Sequence, residues 1–412
     1  MQLKKLFCLF ITIIIVASYS FSAFGLPGSS AEKAPDIDAA SAILTEPLRG
    51  QTLYSKNPSQ RLHVSSASKI MTAIIVIERA KLDAKIAISK ESVDVTGSML
   101  NLEAGEKFTV EDLLYAVLLT PANDAANALA EFAGGDADKF VSMMNSKAKE
   151  LNMENTLFKN VTGLFDKDQY TTAQDISLLM SHALKNPEFS RIFSSKGKVF
   201  NSGVLVNHNK LFWEYEGVDG GKAGYNDKNK QSAITTAKKG NQRFLCIILD
   251  SPENSVWSDS SKIFDYAFDN FKTDVLVEKG QKLHSITISD TPLNLVSQEE
   301  VLYTYPIGES NIRDVEFHLN NDLRLPLLKT QSVGTAKYIL EDETIINISL
   351  YPQEDTGESK KTVSYIWGKL TEHKDLLYLV VILIIIEFLL IIKSLVGFIK
   401  RRTSLKEKRE DT

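Results

Sequence analysis

The chain has 412 residues, 43% of them hydrophobic and 24% charged, with a formal net charge of −5. That length allows two or three domains, and that apolar share excludes wholesale disorder. Between residues 26 and 375 there are 38 basic and 48 acidic residues, a net of −10, which argues against nucleic acid or another polyanion as the main partner.

Residues 1–25 read as an export leader. Lys4 and Lys5 charge its start, Leu6 to Ala17 forms the apolar middle, and Ala23 and Gly25 offer small residues at the cleavage positions. Cleavage would start the mature chain near Leu26; retention would leave an N-terminal anchor instead. Residues 26–36 form a short polar linker with Pro27, Gly28 and Pro35. Of the two cysteines, Cys8 lies in the leader and Cys246 in the strand-like run Phe244 to Leu249. The exported part therefore has no intramolecular disulfide and relies on its core.

Ser41 to Leu44 and Thr52 to Tyr54, on either side of Gly50, predict a hairpin. Ser66-Ala67-Ser68-Lys69 follows at the head of an apolar helical run, Ile70 to Glu78. A Ser and a Lys three apart at a helix start share one face, one turn apart. A Lys in a dry pocket near another cation can lose its proton and act as base, so such a pair needs no His. On its own the pattern is equally that of an N-cap Ser with a surface Lys.

Val110 to Phe132 carries apolar residues at helical spacing, broken at Thr120-Pro121. Asp138 to Leu151 and Thr172 to Leu184 predict two more helices, the second capped by Thr171 or Thr172. Gly217 to Gly221 predicts a turn, Ser232 to Ala237 and Arg243 to Leu249 strands, and Ser258 to Phe271 a closing helix. Strands before and after a run of helices predict an α/β unit over 37–275, with one mainly antiparallel sheet and a helical cluster.

Past Val275 short alternating segments appear: Ser285 to Ile288, Val301 to Tyr305 and Thr344 to Leu350. They predict a small β-sandwich over 276–352. A charged linker, 353–375, leads to an apolar run over 376–399. As a helix that run is about 36 Å long, enough to span a bilayer with some tilt. Lys400-Arg401-Arg402 opens a basic tail, 400–412. This order predicts a single-pass transmembrane helix, with the C-terminus in the cytoplasm and the bulk of the chain outside. Glu387, inside the span, is costly unless protonated or facing a partner helix. The six histidines are scattered, and no metal-ligand spacing or phosphate-cradling loop is present.

Thr120-Pro121-Ala122-Asn123-Asp124 and Lys222-Ala223-Gly224-Tyr225, taken with Ser66-Ala67-Ser68-Lys69, resemble the S-x-x-K, S-x-N and K-T-G motifs of the penicillin-interacting serine enzymes. Leu53 to Asn57, Lys69 to Ala73, Tyr170 to Ala173, Asn207 to Leu211 and Leu325 to Leu327 sharpen the resemblance to the low-molecular-mass D-alanyl-D-alanine carboxypeptidases, over about residues 36–352. The resemblance implies a serine β-lactamase/transpeptidase-like domain followed by a β-domain. It implies no metal and no cofactor, a peptidoglycan stem peptide as substrate, and β-lactams as covalent inhibitors. Ser66 would be the nucleophile and Lys69 its base. Asn123 would hold Lys69 and the substrate amide. Lys222 would attract the terminal carboxylate, and Gly224 would give the substrate backbone room. The N–H groups of Ser66 and Tyr225 would form the oxyanion hole.

Two positions depart from these motifs. Pro121 stands where S-x-N has its serine, and proline has no group that can relay a proton. Thr120 is one residue early and would need a register shift to serve instead. Ala223 replaces the K-T-G threonine and removes a hydroxyl expected on the substrate carboxylate. Gln169 also stands where the family often has His. Two readings follow: a membrane-anchored carboxypeptidase with reduced activity, or a catalytically impaired homologue acting in wall binding or regulation.

Overall fold

The run Phe244 to Leu249 is apolar throughout because both its faces are covered. Leu245, Ile247 and Leu249 pack into one buried cluster and Phe244, Cys246 and Ile248 into another. The computed structural model describes residues 34–356 except 64, 202, 226–229, 253, 290, 309–311 and 342, together with 385–388 and 392. The expected leader, the basic tail and, but for 385–388 and 392, the expected span lie outside the described residues. Among the described residues no helix is long and apolar enough to cross a membrane.

By contact the chain divides into two units, one ending at Asp274 and taking in Tyr303–Glu309, the other holding Val275–Leu302 and the residues from Ser310. In the first unit the strands are β1 (Ser41–Glu46), β2 (Gln51–Lys56), β3 (Val218–Tyr225), β4 (Gln231–Lys239) and β5 (Gln242–Ser251). They form one antiparallel sheet in the order β2-β1-β5-β4-β3. The N-terminal hairpin thus joins the C-terminal strands, and the helices between them are an insertion. β3 lies at the sheet edge, with Lys222 opposite Ile234 and Gly224 opposite Ser232.

The main helices of this unit are α1 (Ser65–Arg79), α2 (Val110–Leu119), α3 (Asn123–Gly134), α4 (Ala137–Glu150), α5 (Ala173–Ala183), α6 (Pro187–Phe193) and α7 (Ser255–Asn270). α1 is buried nearly all round: Ala67, Ile70, Met71, Ala73 and Ile74 have no exposed surface. It runs through the cluster that the other helices share with one face of the sheet, while α7 covers the opposite face with Val256, Ile263 and Phe264. Thr109 and Asp112 close a capping box on α2. Thr172 caps α5, its hydroxyl accepting the Asp175 N–H at 3.0 Å.

The expected turn at Gly217 to Gly221 is instead the entry into β3. Only Gly217 has the positive φ of a turn glycine, at 92°. Gly220 and Gly221 are extended and small for a different reason, close packing. A Cβ on Gly221 would lie 2.3 Å from Asn209 Nδ2, and one on Gly220 would lie 2.6 Å from Phe193 and Thr236 atoms. The closing helix starts at Ser255, three residues before the expected Ser258. Its N-cap, Asn254, has left-handed backbone and makes no side-chain cap bond, so the usual start signal is missing.

From Phe271 onward the chain is β-rich. β6 (Phe271–Val277) pairs with β9 (Val301–Pro306). β7 (Lys282–Ile288), β8 (Thr291–Val296), β10 (Ile312–Leu319), β11 (Gly334–Leu340) and β12 (Ile345–Pro352) form a second sheet, in the order β7-β8-β12-β11-β10. β12 carries both halves: Ile345 to Leu350 pair with β11, and Tyr351 and Pro352 with β8.

Candidate active site

Ser66, Lys69, Asn123, Lys222, Gly224 and Tyr225 all line one cleft of about 740 Å³. Among the segments that meet there are the first turn of α1, the α2–α3 junction, the edge strand β3, and the loop around Thr162. Ser66 is 1% exposed, and its Oγ has no hydrogen-bond partner among the described residues. A buried hydroxyl without a partner is costly in a finished structure and useful in a nucleophile. It sits at the N-terminus of α1, where unpaired N–H groups and the helix dipole favour negative charge.

Lys69 is one turn further on and buried. Its ammonium donates to the Thr162 carbonyl. Burial lowers its pKa from the usual range to about 8. Gln169 fixes the loop that supplies that carbonyl, its Oε1 accepting the N–H groups of Lys159 and Asn160 at 2.9 and 3.2 Å. Asn160 Oδ1 then accepts the Gly163 N–H at 2.7 Å.

Lys222 is buried too, but its surroundings differ. Its Nζ donates to the carbonyls of Val117, Leu118 and Thr120 at 2.7, 3.3 and 3.3 Å. These are the last acceptors of α2, free because the helix stops. Pro121 disfavours helical backbone at the residue before it, and Thr120 is extended, with φ −121° and ψ 166°. Burial and the Lys69 charge push Lys222 well below the usual lysine range, while three carbonyls at the negative end of a helix oppose that. The two ammoniums are therefore not equivalent. Lys69 has one acceptor near the N-terminal end of α1, and Lys222 has three at the C-terminal end of α2.

The Asn207 to Leu211 segment clamps β3 to α2. Asn207 Nδ2 donates to the Gly221 carbonyl at 2.9 Å, His208 N–H to Leu119 O at 3.1 Å, and Asn209 Nδ2 to Thr235 Oγ1 at 2.7 Å. Burial and the Lys222 charge lower the pKa of His208, which keeps it neutral at pH 7.

Residues 29–253 match the family described as D-alanyl-D-alanine carboxypeptidase. The chain belongs to that family. Residues 271–358 match the C-terminal domain of penicillin-binding protein 5. The chain is 30% identical over 369 residues to the D-alanyl-D-alanine carboxypeptidase DacF of Bacillus subtilis, covering 86% of this chain and 95% of that protein. Penicillin-binding protein 5 from Haemophilus influenzae matches with a TM-score of 0.67 at 27% identity, covering 79% of this chain and 100% of that one. A peptidoglycan synthesis regulatory factor (PBP3) from Streptococcus pneumoniae shares the fold, with a TM-score of 0.68 at 23% identity over 78% of this chain and 100% of that one.

Within this carboxypeptidase frame, two of the nominated residues also have partners within the chain. Asn123 Nδ2 donates to Thr96 O at 2.8 Å, not to a group shared with Lys69. Lys222 spends its three protons on α2 carbonyls, as above. Thr120 does not stand in for the missing motif serine: its hydroxyl donates to Ala116 O at 2.8 Å, within its own helix. Sequence reasoning missed the Thr162 carbonyl, which carries no side-chain signal. It also missed Ser98 and Lys210, which line the cleft from loops outside the three motifs.

Proposed function

We propose that this protein is a serine-type D-alanyl-D-alanine carboxypeptidase that removes the terminal D-alanine from peptidoglycan stem peptides. The carrying observation is the buried, unpartnered Ser66 hydroxyl one helical turn from a lysine whose pKa burial has lowered to about 8. Lys69 as free amine takes the Ser66 proton, and Oγ attacks the carbonyl between the two D-alanines. The N–H groups of Ser66 and Tyr225 receive the oxyanion. The amide C–N bond breaks, D-alanine leaves as amine, and the rest of the peptide stays as an ester on Ser66. Water then hydrolyses the ester, with Lys69 again as base. β-Lactams acylate the same oxygen.

The charge of the cleft supports an anionic ligand. Lys69, Lys210 and Lys222 line it, and no aspartate or glutamate does among the described residues. A peptide C-terminal carboxylate suits that field. Edge strand β3 offers a backbone to pair with, and Gly224 leaves room for its approach. The leader-like residues 1–25 and the apolar run at 376–399 support a reaction outside the cytoplasmic membrane, on a chain anchored by that run.

A second reading, a wall-binding homologue with impaired turnover, is favoured by Pro121, Ala223 and the commitment of Lys222 to α2. D-Alanine release from a synthetic peptide ending in D-Ala-D-Ala decides between them. The full chain in detergent should release it, and Ser66→Ala should not. A folded wild type that binds the peptide and releases no D-alanine would overturn the first reading in favour of the second.

A further inference from the structure

Resting on the carboxypeptidase reading, we propose that Ser98 supplies the hydroxyl that Pro121 lacks, as the proton donor to the leaving D-alanine. Ser98 lines the cleft on a loop outside all three motifs, beside the residue that marks the second one. Its carbonyl accepts the Asn123 N–H at 3.0 Å. The carbonyl of Thr96 accepts Asn123 Nδ2 at 2.8 Å. Between them Gly97 has φ 83°, and a Cβ there would meet Asn123 Nδ2 at 3.0 Å. The loop therefore runs against Asn123 as closely as a glycine allows.

Its far end is fixed as firmly. The carboxylate of Asp124, which has no exposed surface, accepts the N–H groups of Leu100 (3.1 and 3.0 Å) and Leu102 (3.1 Å). Asn123 Nδ2 and the Asp124 carboxylate thus hold the segment that carries Ser98.

Of the other hydroxyls near the cleft, Thr162 Oγ1 donates to Asn160 Oδ1 at 3.1 Å, while Ser232, opposite Gly224 on β4, accepts the Asp250 N–H at 3.2 Å and keeps its proton. Thr120 is turned into its own helix. Ser98 is an exposed residue, and its hydroxyl has no hydrogen-bond partner among the described residues.

The step balances as follows. When the C–N bond of the tetrahedral intermediate breaks, its electron pair stays on the D-alanine nitrogen, which takes the Ser98 hydroxyl proton. The Ser98 oxygen regains a proton from the Lys69 ammonium, which holds the one removed from Ser66. The net transfer is one proton from Ser66 to D-alanine.

The test compares two substrates on the full chain in detergent: a peptide ending in D-Ala-D-Ala and its depsipeptide ending in D-Ala-D-lactate. An amine leaving group needs a proton as it departs and an alkoxide needs it much less. Loss of the relay in Ser98→Ala should lower kcat/KM on the amide by about 10²-fold and on the ester by less than about tenfold. Equal turnover by wild type and Ser98→Ala on both substrates would overturn the proposal. So would an equal fall on both, which would make Ser98 a positioning residue. The ester in the same variant also reports folding. Wild type that forms no Ser66 adduct with a fluorescent penicillin removes the carboxypeptidase reading, and the relay with it. A wild type that labels and turns over both substrates isolates the result to Ser98.

Discussion

The cleft has two walls, and they have been treated differently. The α1 wall keeps its motif whole: Ser66 without a partner, Lys69 with one carbonyl and a lowered pKa. The facing wall, from the α2–α3 junction and β3, lacks both motif hydroxyls, and its remaining polar side chains bond within the protein. Lys222 is bonded to the end of α2, Asn123 to the 96–98 loop, and Thr120 to its own helix. The comparison separates two tasks that one motif set usually combines. On the carboxypeptidase reading, making the nucleophile calls on the first wall. Handling the leaving group's proton and the substrate's carboxylate needs the second, and that is where this chain departs.

Replacing each lysine by an isosteric apolar residue should break the comparison most sharply. Lys69→Met should lower turnover by about 10²–10⁴-fold, the range for losing a general base, with the smaller fall in Tm of the two, because only the Thr162 carbonyl loses a partner. Lys222→Met strands three buried carbonyls. One to three kcal/mol is the typical cost of a buried unpaired acceptor, so a fall of roughly 2–10 °C is expected in a thermal melt. Equal Tm for the two variants would remove the distinction between a catalytic and a clamped lysine.

Ala223→Thr should sharpen it. Restoring one hydroxyl beside a carboxylate is worth about 1.5–3 kcal/mol, or roughly ten- to a hundredfold in kcat/KM. A β-branched residue suits the strand. No gain would mean that the carboxylate is already held by another group, with Lys210 the first candidate. The smallest effect should come from Thr120→Val. It removes a bond to Ala116 O, worth about 1 kcal/mol in stability, and should leave turnover within about threefold of wild type, since that hydroxyl is outside the cleft.

Much of the fold was legible because burial writes itself into apolar pattern. The break at Thr120-Pro121 falls where α2 ends, and Thr172 caps α5 as one of its two candidates. Gly220 and Gly221 misled for a physical reason. Glycine signals both turns and close packing, and here Phe193 and Asn209, distant in sequence, demand the second. The six nominated residues share one cleft because spacing on α1 and adjacency on β3 are local facts. Their hydrogen-bond partners were not legible. Thr162 O, Val117 O and Thr96 O are backbone groups brought in by tertiary packing, and no side-chain type announces them.

The most direct measurement is the mass of the Ser66 peptide after the full chain in detergent has met a fluorescent penicillin, with adduct formation timed below and above pH 8. A lysine with a lowered pKa is a free amine only above it, so labelling should accelerate as pH rises through about 8 and then level off. The account predicts one adduct, on Ser66, with that profile, and none in Ser66→Ala. A folded chain that forms no adduct at any pH, or one that labels another residue, would contradict it.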